Sequence, residues 1–141
     1  MEEIVRLIPE ELYSRISLHS HFGLAVKYGL GGVHVNSRCS SVPDGFRGLV
    51  SRSCHSVDEV LRNARRYDYV FLSPVFDSIS KQGYSGSFDN DDIRRQLEAA
   101  GGTVVALGGV TPWRFRRIAA LGFRGAAMLG YVWDNIDEFL T

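Results

Sequence analysis

The apolar run from Tyr69 to Leu72 contains no alternating polar residues, and it ends at Ser73-Pro74. A run of this kind is typical of a strand buried on both faces, as in a parallel sheet covered by helices. Ligands in such folds bind at the loops that leave the carboxyl ends of the strands. The loop after this run carries two hydroxyls and one ammonium, from Ser78, Ser80 and Lys81. The run therefore predicts a parallel sheet with an anion site at this loop.

Strand-like and helix-like stretches alternate along the whole chain. The predicted strands are Ile16 to His19, Gly32 to Val35, Gly48 to Cys54, Asp68 to Leu72, Thr103 to Leu107 and Gly125 to Leu129. The predicted helices are Ser20 to Tyr28, one opened by Ser56 with Glu59 at capping-box spacing, one capped by Asp89 or Asn90 and ended by Gly101-Gly102, one from Pro112 with Thr111 as N-cap to the stop at Gly122, and one from Val132 or Trp133 to Leu140. Strict alternation leaves two α/β architectures, an open doubly wound sheet or a barrel. The sequence has no Gly-x-Gly-x-x-Gly opening a helix and no Walker lysine, so a Rossmann or nucleoside-triphosphatase fold lacks its main support.

Composition narrows the class of protein. The length of 141 residues predicts one domain over residues 1–141, and sixteen basic residues balance sixteen acidic ones. This balance gives no bulk sign of nucleic-acid binding. Two cysteines are too few for a disulfide framework and suit the reducing cytoplasm. We find no pattern of a signal peptide and no apolar stretch long enough to span a membrane, so we expect a cytoplasmic protein without membrane contact.

Two glycine-containing turns late in the chain indicate a phosphate site. Gly108-Gly109 precedes a helix start at Thr111-Pro112, and Gly130 follows the last predicted strand. Glycines let backbone N–H groups approach an anion, and a helix N-terminus favours negative charge. The alternative is that these glycines only make tight turns. Lys81, Ser78 and Ser80 favour the phosphate interpretation.

Histidines supply the candidate proton carriers. His55 follows Ser53 at the end of a predicted strand, which places it at the presumed ligand-binding mouth, where an imidazole can move protons. The alternative is that His55 only bonds a neighbouring carbonyl. His19 and His21 would share a side in strand geometry, but no cysteine or carboxylate completes a zinc site at recognisable spacing. We expect His34, inside a strand, to be a satisfied core or mouth residue.

Four segments in order resemble one known family. They are Gly32-Val33-His34-Val35, Ser51 to Glu59 with its Ser-x-His-Ser pattern, Asp68 to Lys81 with its Ser-Pro-Val-Phe and Ser-x-Ser-Lys patterns, and Val105 to Val110 with its Gly-Gly turn. These segments resemble thiamin phosphate synthase and the related TenI-like thiazole tautomerases. The resemblance covers almost the whole chain.

The resemblance implies a TIM-type (β/α) barrel and a phosphorylated small-molecule substrate. It implies that Ser53 and Lys81 contact a diphosphate, and that Ser78 and Ser80, with Gly109 and Gly130 and the adjoining Gly108, hold a thiazole phosphate. The synthase joins hydroxymethylpyrimidine diphosphate to thiazole phosphate with magnesium. In the tautomerase the histidine of the Ser-x-His segment moves protons, and here that histidine is His55.

The chain departs from the family at the magnesium ligands. The metal-binding Asn-Asp pair aligns with His19-Ser20, and the second acid falls near Cys39, so both carboxylates are missing. Mg²⁺ prefers oxygen ligands, and magnesium is therefore implied by the family without matching ligands, while no other cofactor or metal is implied. The family's Arg-x-Lys diphosphate segment is also not found. These departures favour metal-free proton transfer by His55 over magnesium-dependent coupling.

The length predicts an incomplete barrel. About six of eight βα units are present, whereas a full barrel runs to about 250 residues. Open strand edges are unfavourable in water, so we expect a homo-oligomer if this is the natural length, with a fragment as the alternative. The leading functional hypothesis is a thiamin-biosynthesis protein that binds a phosphorylated thiazole. The alternative is a non-catalytic phosphate-binding or scaffold remnant of the family.

Overall fold

The structure is a computed structural model that describes residues 1–76 and 90–140. For Asn90 it describes the backbone alone. The chain divides into two compact units, Met1–Ser53 and Cys54–Thr141. The predicted phosphate ligands Ser78, Ser80 and Lys81 lie outside the described residues. The prediction of a single domain over residues 1–141 stays a prediction.

The first unit contains three parallel strands and two short α-helices. Its elements are α1 (Glu2–Leu7), a 3₁₀ helix (Glu10–Arg15), β1 (Ser17–Leu18), α2 (Phe22–Tyr28), β2 (Gly32–Val35) and β3 (Leu49–Cys54), whose last residue opens the second unit. Strand β2 pairs in parallel with both β1 and β3. All four residues of β2 are buried, His34 included, as expected for a strand covered on both faces.

The second unit continues the alternation with three more parallel strands. Its elements are α3 (Val57–Asn63), β4 (Tyr69–Leu72), α4 (Asn90–Ala100), β5 (Val104–Ala106), a 3₁₀ helix (Pro112–Arg114), α5 (Phe115–Ala120), β6 (Gly125–Ala126), α6 (Gly130–Asp134) and a 3₁₀ helix (Ile136–Phe139). Strand β5 pairs in parallel with β4 and β6. A core of buried apolar side chains, including Val60, Val70 and Leu97, joins the helices to the strands. The predicted α/β class with about six βα units is confirmed.

Local capping signals set the helix ends. Gly29 and Gly122 both adopt positive φ, 64° and 92°, directly after α2 and near the end of α5. The Ser56 hydroxyl accepts a hydrogen bond from the Glu59 N–H at 3.2 Å, which caps α3. The Glu59 carboxylate accepts from the His55 N–H at 2.9 Å, whereas a standard capping box would use the N–H of the cap residue Ser56.

The carboxyl-terminal elements differ from the sequence prediction. The last strand was predicted over Gly125 to Leu129 but covers only Gly125–Ala126, and the single helix predicted to reach Leu140 is divided at Asn135. The Asn135 side chain donates to the Tyr131 carbonyl at 2.8 Å, and its backbone leaves the helical region at φ −129° and ψ 35°. An asparagine that bonds the local backbone competes with helix continuation.

Candidate functional site

A cavity of about 440 Å³ opens in the second unit, where β4, β5 and β6 end. It is lined by Ser73, Leu107, Gly108, Gly109, Val110, Thr111, Ala127, Leu129, Gly130, Tyr131 and Asp134. The structure therefore brings the predicted glycines 108, 109 and 130 together around one space. Their role in binding phosphate stays a prediction.

The Gly108-Gly109 turn packs directly against the segment that follows β4. Both glycines have positive φ, 88° and 60°. A Cβ on Gly108 would lie 2.6 Å from the Pro74 Cα, so only glycine fits there. The Val75 N–H donates to the Leu107 carbonyl at 2.9 Å and the Phe76 N–H to the Gly108 carbonyl at 3.3 Å. These bonds fix one side of the cavity.

His55 reaches the same wall through Ser73. Its Nδ1 lies 2.9 Å from the Ser73 carbonyl oxygen, and the Ser73 N–H donates to the Cys54 carbonyl at 3.0 Å. A carbonyl oxygen only accepts, so Nδ1 carries the proton of the neutral ring and Nε2 carries the lone pair. The sequence left open whether His55 bonds a neighbouring carbonyl, and this bond is present. It orients the imidazole through Nδ1, so the basic nitrogen Nε2 takes no part in it.

Thr111 was predicted as a helix N-cap and occupies that position without capping through its side chain. The Arg114 N–H bonds the Thr111 backbone carbonyl at 3.0 Å instead. The Thr111 hydroxyl is buried and finds no hydrogen-bond partner within residues 1–76 and 90–140. The sequence shows a capping threonine but carries no signal that its hydroxyl would be buried beside a cavity.

The described lining of the cavity carries one acidic side chain, Asp134, and no lysine or arginine. Helix α6, which begins at Gly130, has only five residues, so its dipole adds little to anion binding. Within the described lining, the backbone at Gly108, Gly109 and Gly130 is therefore what suits a phosphate.

Ser53 is engaged within the first unit. Its hydroxyl lies 3.1 Å from His34 Nε2, and the Ser51 hydroxyl lies 2.9 Å from His34 Nδ1. His34 is 4% exposed, as expected for a satisfied core residue. Burial, followed by the charges of His19 and Arg52, lowers the pKa of His34 to about 4. Its imidazole is therefore neutral at pH 7.

The residues at the family's magnesium positions do not fit that ion. His19 stacks on His34 with ring centroids 4.4 Å apart. Strand β1 ends at Leu18, so His19 and His21 are not aligned by strand geometry. The Asn36 amide oxygen accepts from the N–H groups of Arg38 and Cys39 at 3.0 and 3.1 Å. Within residues 1–76 and 90–140, no three histidine, cysteine or acidic side chains cluster as metal ligands. We derive no step through magnesium.

Fold and site together define a parallel α/β protein with a glycine-lined cavity at the carboxyl ends of β4, β5 and β6. The family model described as thiamine monophosphate synthase matches residues 2–132. The chain belongs to this family, as its motifs predicted.

Individual relatives agree with the family match. The chain is 31% identical over 116 residues to the thiamine biosynthesis bifunctional protein ThiM/ThiE of Symbiobacterium thermophilum, covering 77% of this chain and 24% of that protein. It is 27% identical over 127 residues to the thiamine-phosphate synthase of Limosilactobacillus reuteri, covering 85% of this chain and 59% of that one.

A solved structure supports the barrel-type fold. The crystal structure of thiamine phosphate pyrophosphorylase from Bacteroides thetaiotaomicron superimposes with a TM-score of 0.78 at 37% identity, covering 94% of this chain and 64% of that one. The predicted incomplete TIM-type barrel is confirmed as the fold class. This chain thus spans less than two thirds of the length of each of these relatives. In the described part of the chain, no helix combines the length and apolar character needed to cross a bilayer.

Proposed function

We propose that this chain acts in thiamin biosynthesis by binding a phosphorylated thiazole in the cavity of the second unit, with His55 transferring protons on the ring. The observation that carries the proposal is that Ser73 lines the cavity and that its carbonyl oxygen lies 2.9 Å from His55 Nδ1. The bond leaves Nε2 as the base of the neutral imidazole. The names of the relatives support the substrate class.

The reaction requires the transfer of a proton between two positions of the thiazole ring. His55 Nε2 takes a proton from one ring position and returns it at another, so no bond to phosphate breaks and no metal enters the step. The backbone of Gly108, Gly109 and Gly130 holds the phosphate, and Ser78, Ser80 and Lys81 complete its ligands by family resemblance. Binding of the phosphate positions the ring beside the base.

An exchange assay tests the role of His55. Interconversion of thiazole phosphate tautomers is followed by proton NMR in D₂O with the wild type and with His55→Gln. We expect the variant to lose about 10²-fold or more of the rate, the usual contribution of a general base. His21→Gln, which changes an exposed histidine of the first unit, serves as the matched control. An unchanged rate in His55→Gln removes His55 from this role.

Magnesium-dependent coupling is the second candidate, because the relatives carry the name thiamine-phosphate synthase. Diphosphate release from hydroxymethylpyrimidine diphosphate and thiazole phosphate, abolished by a chelator, would establish it and overturn the metal-free mechanism. Binding without turnover in either assay would favour the non-catalytic phosphate-binding or scaffold alternative. We also propose a cytoplasmic location, where the phosphorylated substrates of this pathway are expected.

A further inference from the structure

The guanidinium group of Arg114 contacts the Gly108-Gly109 turn. Its Nη1 donates a hydrogen bond to the Gly109 carbonyl oxygen at 2.5 Å. Gly108 and Gly109 line the cavity of the second unit, whereas Arg114 is not part of the lining. The arginine therefore reaches the turn from outside the cavity, where its charge does not meet a ligand directly.

Three successive carbonyl groups of the turn are all hydrogen-bonded. The carbonyls of Leu107 and Gly108 accept from backbone N–H groups of the segment after β4, at 2.9 and 3.3 Å. The carbonyl of Gly109 accepts from the Arg114 side chain. The first two peptides are thus fixed by main chain alone, while the orientation of the third depends on one side chain.

The planarity of the peptide group sets the direction of the N–H groups. In a trans peptide the N–H is directed opposite to the carbonyl, so the Val110 N–H is directed away from Arg114. Gly109 and Val110 both line the cavity. Among residues 1–76 and 90–140, neither the Gly109 N–H nor the Val110 N–H donates a hydrogen bond. Successive unbonded N–H groups beside a cavity are the donors that a phosphate oxygen requires.

Arg114 is itself held in place. Its backbone N–H donates to the Thr111 carbonyl at 3.0 Å, and its guanidinium carbon lies 4.4 Å from the centre of the Phe76 ring. The residue is half-buried, and a planar guanidinium stacked on a ring loses little further freedom when it bonds. A charged donor also polarises the peptide that it binds, which makes the Val110 N–H a stronger donor.

We infer that Arg114 is a positioning residue that holds the Gly109–Val110 peptide ready to bind the phosphate of the ligand. The inference rests on the phosphate binding proposed above for this cavity, and it adds a residue that the sequence motifs did not indicate. Arg114 does not touch the phosphate. It acts through the N–H of Val110, at the opposite side of the peptide.

Arg117 provides a matched control for the charge of Arg114. Its guanidinium carbon lies 5.8 Å from the centre of the same Phe76 ring, but among the described residues its side chain makes no hydrogen bond to the turn. Arg117→Met therefore removes a positive charge from the same ring and leaves the Gly109 bond intact. Arg114→Met removes both the charge and the bond.

Calorimetric titration measures the effect on binding. The probes are 4-methyl-5-(2-hydroxyethyl)thiazole phosphate and its unphosphorylated alcohol, each titrated into the wild type, Arg114→Met, Arg114→Lys and Arg117→Met. We expect Arg114→Met to weaken the phosphate by about 5- to 10-fold, the size of one hydrogen bond, and to leave the alcohol unchanged. Arg114→Lys, which keeps a charged donor, should restore part of the loss, and Arg117→Met should match the wild type.

Backbone NMR signals report the orientation of the peptide itself. The Gly109 carbonyl carbon of the ligand-free protein should move upfield in Arg114→Met, which loses the donor, and should stay in place in Arg117→Met. The Val110 amide proton of the wild type should move downfield when the thiazole phosphate saturates the protein. An unmoved Val110 signal at saturation would overturn the inference without any variant.

The titrations separate failure of the inference from failure of the proposed function. Equal phosphate affinity in the wild type and Arg114→Met would contradict the inference alone. An equal loss in Arg114→Met and Arg117→Met would assign the effect to charge and would also overturn it. No binding of the phosphate by the wild type would contradict the proposed function, and the inference with it. Thermal unfolding of each variant confirms that folded proteins are compared.

Discussion

Gly108 and Gly130 line the same cavity but differ in their surroundings. A methyl group on Gly108 would lie 2.6 Å from the Pro74 Cα at a φ of 88°, whereas nothing lies within 4 Å of the corresponding position on Gly130. We predict that Gly108→Ala lowers the free energy of unfolding by at least about 1 kcal/mol, while Gly130→Ala stays within about 0.5 kcal/mol. Urea denaturation measures both, and equal effects would contradict the packing described for the turn.

His34 gives the first unit a defined pH dependence. Its pKa is about 4 in the folded protein, against 6.5 as the ordinary value. Between these values the unfolded chain binds more protons, so the free energy of unfolding falls as pH falls from 6.5 to 4 and this contribution stops below pH 4. Urea denaturation across this range should show a shallower slope in His34→Gln than in the control His21→Gln.

The carboxylate of Glu2 titrates at lower pH than His34. Hydrogen bonds from Lys27 and Tyr28, foremost that of Lys27, lower the pKa of Glu2 to about 2. Its contribution is therefore lost only as pH falls from 4.5 towards 2. An identical slope between pH 6.5 and 4 in wild type and His34→Gln would contradict the assignment to His34.

Some residue-level features could be predicted from sequence and others could not. The site glycines are visible because a Gly-Gly turn after a strand is a local pattern. The contact of His34 with Ser51 depends on the register between β2 and β3, and the burial of the Thr111 hydroxyl depends on packing. Neither register nor packing is encoded within a few neighbouring residues.

At the scale of elements, the start of α3 depends on one side chain. The Ser56 hydroxyl accepts from the Glu59 N–H at 3.2 Å. We predict that Ser56→Ala lowers the free energy of unfolding by about 1 kcal/mol, because the amide loses its cap, whereas Ser56→Asp keeps an acceptor and stays near wild type. Urea denaturation compares the three proteins, and an Ala variant as stable as the Asp variant would exclude capping as the cause.

Element positions could be predicted wherever a start or stop signal is local. Gly29 ends α2 and Ser56 opens α3 as the sequence indicates. The last helix was wrong because the spacing of Trp133, Ile136 and Phe139 suits a helix, while the side-chain bond of Asn135 to the Tyr131 carbonyl interrupts it. That bond competes with periodicity and cannot be read from the apolar pattern.

At the scale of the whole molecule, large apolar side chains near the carboxyl end remain on the surface. Leu129, Trp133 and Leu140 are 66%, 68% and 75% exposed. We propose that this chain, at its present length, forms a homo-oligomer that covers them, since burial of such surface is favourable. Light scattering after size-exclusion chromatography should show a mass above one chain, and Trp133→Lys should reduce it.

The control for self-association is Leu7→Lys in the first unit, which changes a side chain that is 84% exposed and far along the sequence from the carboxyl end. This control should leave the mass unchanged. A single-chain mass for the wild type at every concentration tested would contradict self-association.

Binding of 4-methyl-5-(2-hydroxyethyl)thiazole phosphate tests the central claim most directly. Thermal unfolding with this phosphate is compared with its unphosphorylated alcohol, using the wild type and Gly130→Asp, which places a carboxylate beside the predicted phosphate. The account predicts stabilisation by about 2.7 kcal/mol at 100 times the dissociation constant, for the phosphate and the wild type only. Equal stabilisation by the alcohol, or none by the phosphate at saturating concentration, would contradict it.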